Sequence, residues 1–587
     1  MNYNLNIPVE GEVKKKSTFG SLKTLVSNLI EEKKILLKAF VAMLITAISS
    51  LMGPIIIGHT INDYVQTKQY HGVIVFSGVL LTMYIISLIA GYIQTKLMGT
   101  VGQRMLFTLR NNLFNKIQEL PVDFFNQNKA GDLISRINND TDNINQFFSQ
   151  SLMQFVRSIL IMIGAGIFLL SINFRLGVAA LSPAIVIWLF TKFVSPWVKG
   201  RNAVNLKSVG NLSSEVQESL NNFKVVVAFN RRDYFRKRFN EANQDIYSTS
   251  VKAGVANNLF MPVYTLFSNI GQLVVLAFGI YLITTHHFTI GMLISFLAYI
   301  TSFYNPLRQL AALWANFQVA LAAWDRILRI LGMENNMPIV KEEKAEPSAS
   351  LMSFRDVSFA YPNGQKVLHH IDFELQGGKT YAFVGPTGGG KTTTASLIAR
   401  LYDPTEGTIL LDGRDIRSYP QNERVEKIGF ILQEPFLFSG TIRDNILCGN
   451  EAYKDHKNGE LTQIFCDTGL EALLQRFDHG LDTKVDISGD GISLGQQQLI
   501  AFMRAVLRKP ELLILDEATA NIDTVTEKLL EDILQRLPST TTKVIIAHRL
   551  NTIANADEIF FVNTGEITRA GSLDDAVKML MQGKMAS

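Results

Sequence analysis

The sequence predicts an all-α six-helix transmembrane domain followed by a separate α/β domain. Three observations carry that reading. The 587 residues exceed the roughly 100 to 200 that one ordinary domain takes. The composition, 47% hydrophobic and only 18% charged, is more apolar and less charged than that of soluble chains. Six long apolar runs fill the first half, and a polar, proline-punctuated stretch separates them from the rest.

Residues 1–34 are read as a cytoplasmic lead-in. Met1 to Ile30 is polar, carries Lys14, Lys15 and Lys16, and lacks an apolar core followed by a small-residue cleavage site. The transmembrane domain is expected over residues 35–331. Its apolar runs cover 35–57, 72–94, 156–174, 176–195, 260–284 and 289–305, each about long enough to cross a hydrocarbon core near 30 Å thick as a helix. Pro306 and Arg308 close the last run. The connections from His59 to His71, Asn173 to Arg175 and Thr285 to Phe288 are short, whereas 95–155 and 196–259 are long and hold most of the Lys and Arg. The positive-inside tendency places the long connections and both termini in the cytoplasm. Those connections keep a helical pattern, as in Gly131 to Ile144 with Leu133, Ile134, Ile137 and Ile144, and are expected to extend the membrane helices. Residues 332–350 have linker composition, and 351–587 read as the α/β domain.

The net charge of +4 is small for this length and comes with no long basic tract, which disfavours a nucleic-acid partner. Cys448 and Cys466 lack metal-ligand spacing and suggest no disulfide.

Phosphate chemistry is written into the second half. Tyr381-Ala-Phe-Val-Gly385 has a buried-strand pattern, and Gly385-Pro386-Thr387-Gly388-Gly389-Gly390-Lys391-Thr392 then leads into a helical stretch from Thr393 to Arg400. This is GxxxxGK[ST] in its confirming context of strand, loop and helix. Such a loop wraps a β-phosphate with backbone N–H groups at a helix N-terminus; Lys391 reaches the β and γ oxygens, and Thr392 offers a hydroxyl to Mg²⁺. Leu512-Leu-Ile-Leu-Asp516-Glu517 is an apolar strand ending in two acids. Asp516 suits Mg²⁺, and Glu517 suits proton abstraction from an attacking water. Ile492-Ser493-Leu494-Gly495-Gln496 looks like a nucleotide-binding signature with one unexpected letter, because Leu494 stands where close backbone approach to a phosphate favours glycine.

From Phe359-Ala-Tyr361 to His548, the order of these motifs resembles the nucleotide-binding domain of ATP-binding cassette (ABC) proteins. The six-helix half resembles an ABC exporter half-transporter, similar to one subunit of heterodimeric bacterial multidrug exporters. The resemblance implies ATP and Mg²⁺ as cofactors, the loop residues Gly385 to Thr393 around the phosphates, and Tyr361 stacked on adenine. It implies Gln433 touching Mg²⁺ and the membrane domain, Asp523 positioned across a dimer, and His548 at the γ-phosphate. Pro121 to Phe125, Gly131 to Arg136 and Glu218 to Phe229 resemble the cytoplasmic loops that dock on ATPase domains.

In that family the signature of one subunit closes over ATP held by the other subunit. Ser493, Gly495 and Gln496 match it and Leu494 departs from it. Ile487 departs too, standing where exporters usually carry an acid facing the coupling helices. Both departures concern what this chain offers its partner, whereas the residues for its own ATP match. The resemblance therefore implies a heterodimer whose partner supplies an intact signature, the alternative being a homodimer with two weakened sites. The first five spans hold almost no ionisable residue at their centres, so a fixed ion relay is not expected. Tyr264, Phe267, Asn269, Gln272, Phe296 and Tyr299 are candidates to line a cavity for amphiphilic, drug-like molecules, or else pack helices and face lipid. A lipid or peptide exporter, an importer on the same fold and a non-transport ATPase stay open, the last disfavoured by the six spans. Met1 to Lys34 contains no Cys or His, which disfavours a peptidase.

Overall fold

The computed structural model describes residues 3, 5, 32–341, 349–362, 364–486, 492–516, 522–546, 555–571 and 574–579, without the side chains of 311, 312 and 524; counts of elements are of those residues. The chain divides into two compact units. One comprises Pro8–Gln118 and Gly131–Gly332, the other Met1–Ile7, Glu119–Ala130 and Met333–Ser587.

Six helices are long and apolar enough to cross a membrane: α1 (Lys33–Val65), α2 (Tyr70–Glu119), α4 (Ala130–Ile172), α5 (Phe174–Asn221), α7 (Arg232–Thr284) and α8 (Ile290–Leu331). The short helices α3 (Val122–Gln127) and α6 (Phe223–Ala228) lie between them in sequence. Each apolar run of the sequence matches one long helix to within two residues, the runs 156–174 and 289–305 overrunning the end of α4 at Ile172 and the start of α8 at Ile290. The helices also run well beyond the apolar stretches. The 50 residues of α2 span roughly 75 Å at 1.5 Å per residue, more than twice a hydrocarbon core of about 30 Å. The basic connecting segments are thus mostly continuations of helix. The sequence reading closes the last run at Pro306 and Arg308, but α8 passes through Pro306 and continues to Leu331. Packing neighbours tolerate the one backbone bond that a proline removes from such a helix.

Sharp turns separate the helices at short connections. Asn173 alone joins α4 to α5, and its Oδ1 caps α5 by accepting a bond from Leu176 N at 3.0 Å. Thr289 caps α8 in the same way through Met292 N. At this end α1 and α8 meet backbone to backbone. A Cβ added to Gly291 would lie 2.0 Å from Gly58 O, so only small residues permit the crossing. Asn62 bridges the seam, accepting from Gly291 N and donating to Thr289 Oγ1, both at 2.8 Å. Ser295 donates to Pro54 O at 2.6 Å. A hydroxyl or amide that ties two helices here avoids an unpaired polar group in an apolar setting.

Three of the candidate cavity residues belong instead to the packing of this helical unit. Phe296 and Tyr299 are fully buried and Tyr264 nearly so. Tyr264 shares a hydrogen bond with Thr191 at 2.7 Å. Tyr299 stacks on Phe168 at 5.2 Å and donates its hydroxyl to Leu51 O. Phe296 meets Phe288 edge-on. Phe267, Asn269 and Gln272 are partly or fully exposed. In the segment from Gly131 to Ile144, Leu133 and Ile144 are buried, while Ile134 is exposed and faces away from that stripe. Bidentate pairing of Arg326 with the buried Asp140 secures the segment to α8.

The other unit contains two larger sheets. β1 (Ser350–Ala360), β2 (Lys366–Gln376), β4 (Glu406–Leu411) and β5 (Arg414–Asp415) form an antiparallel sheet in the order β2-β1-β4-β5. β3 (Thr380–Val384), β6 (Ile428–Ile431), β9 (Leu512–Asp516), β10 (Thr542–Ile546), β11 (Glu558–Asn563) and β12 (Glu566–Arg569) form a sheet in the order β12-β11-β3-β10-β9-β6. A small pair, β7 (Gly440–Thr441) and β8 (Lys484–Val485), completes the set. From β11 to β6 the large sheet is parallel, and β9 is buried at every position. Both faces are covered, which is why these strands read as continuous apolar runs. The polar stretch after α8 is anchored to this unit: Arg400 donates to Pro338 O at 3.0 Å and Val340 N donates to Arg417 O at 3.1 Å.

The seam between α1 and α8 yields a stability prediction. Gly291→Val forces a side chain into Gly58 and is expected to lower stability by at least about 1–3 kcal/mol, the usual cost of overpacking. Gly78→Ala, where an added Cβ meets nothing within 4 Å, is expected to be silent. Thermal unfolding of the detergent-purified protein checks both, and equal melting of Gly291→Val and wild type would contradict the close crossing.

Candidate nucleotide site

Four parallel strands end side by side and bring the sequence motifs together. Ile546 of β10 pairs in register with Phe383 of β3 and with Asp516 of β9, and Ile431 of β6 pairs with Leu515. The loop after β3, the acid closing β9 and Gln433 just past β6 therefore gather at one carboxyl edge, where open parallel sheets bind ligands. Gln433 is exposed there.

The loop from Gly385 through Pro386, Thr387, Gly388 and Gly389 to Gly390 turns directly into α9 (Lys391–Ile398). Gly385 has φ +152°, and a Cβ on it would lie 1.9 Å from Val562 O of β11; only glycine fits so close a backbone approach. Gly390 takes φ +114° as the residue capping α9. The Lys391 side chain is buried and folds back over the loop, donating to Gly385 O and Pro386 O, both at 2.9 Å. Thr392 Oγ1 lies 3.4 Å from Asp516 Oδ1. A helix N-terminus beneath an ammonium group is a cradle for phosphate. A hydroxyl paired with a buried carboxylate is the donor set of a hard cation such as Mg²⁺. The residues present thus fit a nucleotide with its metal.

Tyr361 stands at the rim in the turn after β1. Its hydroxyl shares a hydrogen bond with Thr393 of α9 at 3.1 Å, and its ring meets Phe359 at 4.9 Å and Tyr402 at 5.5 Å, both edge-on. Tyr402 in turn accepts a 2.6 Å hydrogen bond from Asn126 of α3. Burial pushes the Tyr402 hydroxyl above the ordinary tyrosine range, so it keeps its proton. The sequence reading missed Tyr402; Arg400-Leu-Tyr402-Asp-Pro carries no motif that points to α3.

The signature segment opens α10 (Leu494–Val506). Ser493 caps that helix in a reciprocal box: its Oγ accepts from Gln496 N at 3.2 Å while Gln496 Oε1 accepts from Ser493 N at 3.0 Å. Gln496 also donates to Arg476 O. Leu494 occupies the first helical position and Gly495 the second. Leu494 does not have positive φ, so the expected loss of glycine's conformational freedom is not the effect of this residue. The residue is instead 46% exposed on the first turn of the helix. At the other end of α10, Arg504, which the sequence reading did not single out, donates to Asn445 O at 2.7 Å and Phe436 O at 3.2 Å. The signature helix is thereby tied to the segment that follows Gln433.

Asp523 caps α11 (Thr524–Arg536), accepting from Thr526 N at 3.0 Å and from the Thr526 hydroxyl at 2.7 Å. Those bonds hold its carboxyl below the usual carboxylate range. Glu517, His548 and Ile487 lie outside the described residues. Cys448 and Cys466 are free thiols.

Comparison with known proteins agrees with both halves. Residues 36–307 match the family model described as ABC transporter transmembrane region, and residues 368–520 match the model described as ABC transporter. An uncharacterized ABC transporter ATP-binding protein, YfiC of Bacillus subtilis, is 34% identical over 566 residues, covering 96% of this chain and 93% of that protein. A fatty acid ABC transporter ATP-binding/permease protein of Mycobacterium bovis is 33% identical over 84% of this chain and 77% of its own length. A multidrug resistance ABC transporter ATP-binding and permease protein of Lactococcus lactis is 31% identical over 85% of this chain and 84% of its own. With a membrane-spanning helical domain and an ATP-hydrolysing domain fused in one polypeptide, the chain belongs to the ABC transporters and is a half-transporter of the exporter type.

Proposed function

We propose that this chain exports amphiphilic, drug-like compounds across a bacterial cell membrane as one half of a heterodimer, with both termini cytoplasmic. The observation that carries the pairing is Leu494, an exposed branched side chain on the first turn of the signature helix. A partner's nucleotide must approach that turn closely, and the isobutyl group holds it off. At this chain's own phosphate loop Gly385, Gly390, Lys391, Thr392 and Asp516 keep the geometry of a phosphate cradle, with no comparable branched apolar side chain in the loop from Gly385 to Thr392. The competent site then joins this chain's loop to an intact signature on a different chain. The second site is degenerate.

In this reading the loop N–H groups from Gly385 to Thr393, together with Lys391, bind the phosphates, and Tyr361 turns from Thr393 to stack on adenine. Thr392, Asp516 and Gln433 hold Mg²⁺, which supplies charge neutralisation on the phosphates when bound. Glu517 takes the proton of the attacking water, and His548 contacts the γ-phosphate. Ser493, Gly495, Gln496 and Asp523 face the partner. The drug-like substrate class rests on the resemblance to the multidrug relative and on apolar spans with few charges. The relative named as a fatty acid transporter supports a second reading, a homodimeric lipid exporter; a peptide exporter has no comparable support.

Two substitutions test these roles. Glu517→Gln in the assembled transporter is expected to retain ATP and to lower turnover by about 10²-fold or more, as loss of a general base does. Wild-type phosphate release contradicts that role. Leu494→Gly is expected to increase the ADP trapped with vanadate over the partner's loop while leaving this chain's own site unchanged. Trapping at both sites in the wild type, with no gain from Leu494→Gly, contradicts the asymmetry.

A further inference from the structure

Residues Glu119–Ala130, which include α3, belong to the ATP-binding unit although the helices on either side of them in sequence belong to the other. Asn126 reaches Tyr402 at one face of α3. The same C-terminal end of α3 is held by a segment from the start of the chain. Tyr3 is 1% and Leu5 4% exposed, unusual burial for residues in a polar lead-in. The Asn128 side-chain amide, itself buried, donates to Tyr3 O at 2.9 Å and accepts from Leu5 N at 3.0 Å. A side-chain amide thus pairs with C=O and N–H two residues apart, as a neighbouring strand pairs with extended backbone. Tyr3 N donates to Gln127 Oε1 at 2.9 Å, and the Tyr3 ring meets the buried Phe124 edge-on at 6.3 Å.

The hydroxyl end of Tyr3 binds a third segment. It donates to Glu334 O and accepts from Asn336 N, both at 2.9 Å. Asn335 Nδ2 donates to Glu119 O at 3.0 Å. One side chain therefore joins α3 to the polar stretch that links α8 to the first strand of the ATP-binding unit. Burial raises the pKa of the Tyr3 hydroxyl, which favours the donating form.

We infer that Tyr3 is a positioning residue for the transport cycle: it clasps the end of α3 to the stretch Glu334–Asn336, so that α3 moves with the ATP-binding unit as one rigid body. This holds whichever chain is the partner and whatever compound is carried. Hydrogen exchange and ATPase kinetics on the intact transporter, purified through this chain and held in lipid nanodiscs, test it. In Tyr3→Ala, exchange across 122–128 and 334–338 is expected to quicken about tenfold while 391–398 stays as in wild type. In the same variant kcat for ATP is expected to fall about threefold or more with KM for ATP within about twofold, since no ATP-contacting group is touched. Tyr3→Phe keeps the ring on Phe124 and loses the hydroxyl bonds, so only 334–336 is expected to loosen. Unchanged exchange at 122–128 in Tyr3→Ala, loosening that extends to 391–398, or wild-type kcat in a variant whose α3 is loosened would each overturn the inference. If Tyr3→Ala does not assemble, unchanged exchange at 334–336 in Tyr3→Phe overturns it.

Discussion

The register of four parallel strands is the constraint on which the nucleotide site depends. Ile546 stands between Phe383 and Asp516 in one hydrogen-bonded row, and Leu515 pairs with Ile431 beside it. A slip of one residue would turn the side chains of a whole strand to the opposite face and part Asp516 from Thr392. Burial of β9 on both faces makes such a slip costly, because every apolar side chain in it has a partner layer. Lys391 and Thr392 need no positioning of their own beyond the start of α9. The strand ends place the loop, and the glycines let it turn.

The same helix-terminus physics acts twice in this chain with different results. At α9 the glycine-rich loop turns directly into the helix, and the side chain folded over it is the cationic Lys391. At α10 the cap is intact, with Ser493 and Gln496 satisfying each other, and the exposed Leu494 stands on its first turn. Helix stability and access for a phosphate are therefore separable properties. A leucine at the first helical position costs the helix nothing, since it is a strong helix former. The proposed asymmetry therefore rests on what this side chain does to a ligand arriving from outside, not on any cost to the helix.

Much of this was legible in the sequence because the signals are local. The strand, loop and helix around Gly385 to Thr392 lie within one short stretch, and each membrane helix announces itself by an apolar run. What was not legible is long-range. Aromatic and neutral polar residues look the same whether they line a cavity or pack between helices, so the sequence leaves both readings open for Tyr264, Phe296 and Tyr299, and their burial selects packing. Pro306 reads as a stop locally, but the helix continues through it. The pairing of Tyr3 and Leu5 with Asn128, and of Tyr402 with Asn126, joins segments more than 100 residues apart, and neither partner has a composition that names the other.

The central claim is that the two ATP sites of the assembled transporter are unequal because two different chains build them. Intact-mass measurement of the complex, extracted from its native membrane through a tag on this chain, tests that claim most directly. The account predicts one copy of this 65.6 kDa chain together with a second, different half-transporter of similar mass. A complex of two copies of this chain and nothing else would place Leu494 over both nucleotides and contradict it.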